Sequence, residues 1–142
     1  MKKGINVFGL VVSGLFAGWI AFSVDHWLDG FLGLFGTIPG RQDPLGMVQF
    51  HLDSVMLAIP FVWPALYRRL PGPGWMKGLS YGCLLHLFVW LFGATAKLGG
   101  AVFFTHVAIT PTMVASMLSI QLVYGFWLGL LYSPPEDLSI RL

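Results

Sequence analysis

Four long apolar runs, each interrupted by few polar positions, organise the chain. They cover about 5–24, 45–67, 79–96 and 112–132. None alternates polar and apolar residues with a period of two, so none reads as a half-buried strand. Each is close to the roughly 20 residues that a helix needs to cross a hydrocarbon core of about 30 Å. Within lipid only helices and closed barrels satisfy the backbone. The pattern therefore predicts an all-α fold: an integral membrane four-helix bundle forming a single transmembrane domain over 1–142. The runs take up more than half the chain, so no separate soluble domain fits.

The stretches between the runs differ in kind. Segment 68–78, Arg-Arg-Leu-Pro-Gly-Pro-Gly-Trp-Met-Lys-Gly, is punctuated by Pro and Gly and reads as a tight turn. Segment 25–44 carries Trp27, Leu28, Phe31, Leu32, Leu34 and Phe35. It is too apolar for a free loop and is expected to lie along the outer membrane surface. Segment 101–110, set between Gly99-Gly100 and Pro111, is too short to span and reads as interfacial or re-entrant.

Composition sharpens this picture. Of 142 residues, 56% are apolar, 15% aromatic and 10% charged. An average soluble domain carries roughly 25% charged residues. So few charges cannot clothe a water-facing surface, which argues against a soluble enzyme or a nucleic-acid binder. The aromatic content also excludes a disordered chain. The expected partners are membrane lipids and other membrane-protein subunits. The single cysteine, Cys83, can form no internal disulfide and reads as a small buried thiol.

The eight basic residues set an orientation. Lys2, Lys3, Arg68, Arg69, Lys77 and Arg141 fall on one side of the predicted spans, and Arg41 and Lys97 on the other. Basic residues concentrate in cytoplasmic segments, so both termini are expected in the cytoplasm of a bacterium whose inner membrane holds a multi-pass protein. The first run also resembles a signal peptide, with Lys2-Lys3, an apolar stretch and Ala21-Phe22-Ser23. Trp19 and Trp27 suit instead the outer end of a retained helix, and retention is the expectation.

Packing signals are small residues at helical spacing, because lipid gives apolar helices no hydrophobic reward for touching. Gly14-x3-Gly18, Gly78-x3-Gly82 and Gly125-x3-Gly129 fit this role. The last two pairs share a depth near the cytoplasmic face and predict contact between the third and fourth runs. Gly14 and Gly18 lie higher and are expected to face Ala115 and Ser119. Pro60 and Pro64 each remove an amide donor and predict a static kink in the second run.

Candidate chemistry is sparse. The chain has no phosphate loop, GxSxG, HExxH or dinucleotide fingerprint. What remains is a polar set in apolar surroundings: Gln49, His51 and Asp53 in the second run, His86 in the third and Gln121 in the fourth. Asp53 is the only acid within a run, and a mid-membrane carboxylate costs about 2.5–3.5 kcal/mol on translocon scales. It is expected to point inward, either fixing helix register or carrying protons. At about 1.5 Å per residue, Asp53 lies roughly 12 Å and Gln121 roughly 14 Å from the outer face, whereas His86 lies roughly 20 Å from it. This pairs Asp53 with Gln121, or with a histidine above it. Axial haem ligands must reach one iron from opposite sides, so His51 and His86 pair poorly. His51 with His106 or His26 is the easier geometry for haem b or a metal, with satisfied structural histidines and no cofactor as the default.

The last run ends Gln121-Leu-Val-Tyr124-Gly125-Phe-Trp-Leu-Gly129-Leu-Leu-Tyr132, after Thr110-Pro111-Thr112. This resembles a loose group of small bacterial four-helix inner-membrane proteins with no assigned activity, which tend to finish in His-Leu-x-Tyr-Gly-x3-Gly-x2-Tyr. Gln121 stands at the histidine position. The resemblance covers about twenty residues; it implies the fold and transfers no activity.

These readings converge on a small, non-catalytic membrane subunit of a larger complex, such as a respiratory or other energy-transducing one. The rivals are a b-type cytochrome or quinone-binding electron carrier, and a small oligomeric transporter working through Asp53.

Overall fold

A computed structural model describes residues 5–32, 44–98 and 111–135. Within them the chain is helical with no strand: α1 (Val7–Leu32), α2 (Pro44–Val62), α3 (Pro64–Tyr67), α4 (Gly74–Leu98) and α5 (Pro111–Leu131). Local chemistry explains the starts. Pro44, Pro64 and Pro111 open three of the helices, where a missing amide costs nothing and a fixed φ helps. At α1, the Asn6 side chain accepts from the Gly9 amide at 2.9 Å, satisfying an otherwise orphaned donor.

Two boundaries differ from the sequence reading. α1 continues through 25–32, because Asp25-His-Trp-Leu-Asp-Gly contains no helix breaker strong enough to stop it. α4 begins at Gly74 rather than near 79, so the turn is confined to 68–73. Pro71-Gly72-Pro73 makes that turn, with Gly72 at φ +78°, a conformation open to glycine at little cost. Segments 33–43 and 99–110, including the rest of the surface-lying and re-entrant segments expected above, lie outside the described residues.

The proline effect is local. Trp63 breaks the helix between α2 and α3, with its amide reaching the Pro60 carbonyl at 3.3 Å. α3 is then a single turn carrying the chain toward 68–73.

Long helices run alternately in opposite directions. α1 packs between α2 and α5, and α4 packs on α5. The start of α1 meets the end of α5, where Asn6 Nδ2 donates to the Ser133 carbonyl at 2.9 Å. The same end collects a ring cluster in which Phe61 lies 5.3 Å from Tyr67, 5.2 Å from Tyr81 and 6.0 Å from Tyr132. Lys77 Nζ donates there to the carbonyls of Tyr67 at 3.0 Å and Leu70 at 2.6 Å. Cationic donors at a helix end satisfy its orphan carbonyls.

Away from that ring cluster, several of the residues between helices are small. Ser13, Ala17, Ala21, Ser54, Ala58 and Ser116 are buried, while Phe8, Met56, Leu87 and Leu91 are exposed. Two helices carry windows long and apolar enough to cross a membrane: Val7–Val24 with mean hydropathy 2.1 and Val114–Leu131 with 1.7. Only 28% of each window is buried, so neither is enclosed as the core helix of a soluble protein would be.

Candidate functional site

The α4–α5 seam is made of backbone. A Cβ built on Gly82 would stand 2.5 Å from the Gln121 carbonyl oxygen, and one on Gly74 2.5 Å from that of Gly129. At Gly78 a Cβ would strike the Gly125 carbonyl, and at Gly125 that of Gly78. Close approach of this kind requires residues without side chains. Gly78, Gly82, Gly125 and Gly129 are thus one contact, as their spacing suggested.

Gly14 and Gly18 belong elsewhere. They face α2, with Gly14 against Val55 and Ala58 and Gly18 against Ser54. The expected partners Ala115 and Ser119 are exposed on α5. The missed signal is Ser54-x3-Ala58, a small pair on α2 at the same spacing as the glycines it meets. Cys83 also departs from expectation: it is exposed, one residue and so about 100° around α4 from buried Gly82.

Close backbones bring three side chains together. His86 Nδ1 lies 2.6 Å from Gln121 Oε1, and Trp90 Nε1 donates to His86 Nε2 at 3.0 Å. An indole can only donate, so Nε2 accepts and Nδ1 carries the proton given to Gln121. Both ring nitrogens of this half-buried histidine are used within the chain. Trp90 was not singled out from sequence, although it lies one turn beyond His86.

This arrangement corrects the depth argument. With α4 starting at Gly74, His86 lies twelve residues, or about 18 Å, along it. That raises it to the level of Gln121 and makes it the partner that the later start had denied. Asp53 is not that partner: it is exposed, about 100° around α2 from buried Ser54.

Two further contacts hold α2. The Tyr124 hydroxyl donates to the Ser54 carbonyl, and the Tyr81 hydroxyl to the Leu57 carbonyl. Both acceptors lie within the two turns before Pro60, in the stretch that leads into the helix break. Tyr124 and Tyr81 come from α5 and α4 respectively, so α2 is gripped from both.

The remaining predicted positions are dispersed. His51 is half-buried with its ring 6.2 Å from that of Phe22. The side chains of His26 and Gln49, and all of His106, lie outside what is described. Among the described residues no three His, Cys, Asp or Glu side chains gather as metal ligands. No protein-family model, curated protein or solved structure matches the chain.

Proposed function

We propose that the chain is a small, non-catalytic, multi-pass subunit of a larger inner-membrane complex, with both termini cytoplasmic. One observation carries the membrane part of this reading: two helix contacts are built of small residues while many large apolar side chains stand exposed around them. Small residues line the α1–α2 and α4–α5 contacts, and large apolar side chains stand exposed, among them Phe8 at 79% on α1, Met56 at 63% on α2 and Leu91 at 68% on α4. In water, apolar patches much beyond a few hundred Å² drive association. In lipid the same surface is at rest, and small residues are what bring helices together. By this reading the four long helices form a membrane bundle.

Support for a subunit rather than an independent enzyme comes from how the polar groups are spent. His86, Gln121 and Trp90 bond one another, and Tyr81 and Tyr124 bond backbone. These interior polar groups serve cohesion. The engaged nitrogens of His86 also weigh against the electron-carrier reading at that residue.

Extraction of native membranes in mild detergent, followed by native electrophoresis, tests the proposal. The chain is expected in an assembly well above its own 15.7 kDa with subunits that co-purify in fixed ratio. Migration alone, or a Soret band from the purified chain, overturns it.

A further inference from the structure

Asp53 is hard to reconcile with its surroundings in a membrane. It lies at the midpoint of α2, and its neighbours on the exposed side, Leu52, Met56 and Leu57, are large and apolar. A carboxyl group here would face acyl chains, where an acidic side chain is costly. Chains with such a residue pair it or bury it at a protein contact, and Gln121, the partner its depth suggested, is engaged by His86.

Building on the subunit reading, we infer that the Leu52–Leu57 face of α2 is the docking surface for the rest of the complex, and that its occupant is a transmembrane helix of a different protein bearing a Lys or Arg level with Asp53. Charge complementarity selects a cationic partner, because a carboxylate and a basic side chain desolvated together offset each other's cost. Sequence excludes a second copy from that role. Runs 5–24, 45–67, 79–96 and 112–132 contain no Lys or Arg, so another copy offers no cation at this depth. Two copies meeting through this face would oppose like charges. The apolar neighbours complete the surface: Leu52, Met56 and Leu57 flank the acid at positions −1, +3 and +4, giving a helix partner a stripe to pack on.

The test uses the full chain in its native membrane with a photo-crosslinking residue at Met56, and the same residue at Phe8 on α1 as a control. Expected is an adduct from position 56 to one other membrane protein, with the crosslinked segment carrying Lys or Arg within one helical turn of the attachment. Asp53→Leu should lower its yield roughly threefold to tenfold. Asp53→Lys should abolish it, and replacing the partner's basic residue by Asp should restore it. Asp53→Asn, which leaves α2 with a polar side chain of the same shape, keeps the result readable if Asp53→Leu fails to accumulate; it too should lower the yield. The inference is overturned by an adduct to a second copy, by adducts to lipid alone, by a partner segment lacking a basic residue, or by a yield indifferent to Asp53→Asn. Native electrophoresis of the same membranes separates the two levels. A large assembly whose adduct ignores Asp53 removes only this docking face, whereas migration of the wild-type chain alone removes the subunit reading itself.

Discussion

His86 and Gln121 face each other across the α4–α5 seam, with Nδ1 and Oε1 2.6 Å apart. The glycines one turn or more below them make that distance possible, since Gly82 rests on the Gln121 backbone itself. A polar pair set beside a backbone contact is unable to drift apart without separating the helices.

The pair should therefore be energetically coupled. A double-mutant cycle on His86→Leu and Gln121→Leu is expected to give about 0.6 kcal/mol, and no more than about 1.7, the range for interhelical hydrogen bonds in membranes. Reversible unfolding in mixed micelles reads this directly. A coupling of zero would show the contact to be incidental.

The glycine seam predicts a steeper response. Gly78→Ala places a methyl group on the Gly125 carbonyl, where the obstacle is backbone and cannot rotate away. Overpacking of this kind costs about 1–3 kcal/mol. Gly9→Ala is the contrast, because the atoms in its way belong to the Asn6 side chain. Unfolding midpoints of the two variants should differ clearly, with Gly78→Ala the lower.

Tyrosine hydroxyls give different expectations at two positions. Tyr124 donates to the Ser54 carbonyl, so Tyr124→Phe should cost about 0.5–1.5 kcal/mol. The buried Tyr132 hydroxyl makes no hydrogen bond of normal geometry and interacts only weakly with the Asn6 backbone, so Tyr132→Phe should be close to neutral. Equal losses at both positions would refute the assignment of Tyr124 as a grip on α2.

Topology is open to a reporter series. Fusions after Pro71 and after Ser133 should be active only for a cytoplasmic reporter, and fusions after Leu32 and after Leu98 only for an external one. The reverse pattern, or a mixed one, contradicts the orientation drawn from the basic residues.

Much of the helical layout was legible as sequence, because a long apolar run has few other solutions. The Gly78–Gly125 contact was legible too, since glycine spacing reports backbone proximity directly. The direction of Asp53 was not. A helix apolar on both faces gives hydropathy no contrast between inside and outside, and the inward face of α2 is marked instead by the small residues Ser54 and Ala58. Reading these would have turned Gly14 and Gly18 toward α2 and Asp53 away from it. The pairing of His86 was hidden by a boundary: Gly74-Trp-Met-Lys looked like turn, but Lys77 reaches back to cap the Tyr67 and Leu70 carbonyls and lets α4 start early.

The grip on α2 has a consequence for how this surface can change. Tyr81 and Tyr124 hold carbonyl oxygens, which every residue supplies whatever its side chain. Leu57 can therefore be exchanged without loosening its own anchor, and its side chain, turned outward, is free to be retailored. Mutational freedom and structural anchoring coexist at one position: the chain can drift toward a new neighbour along α2 while the tyrosines keep the helix where it is.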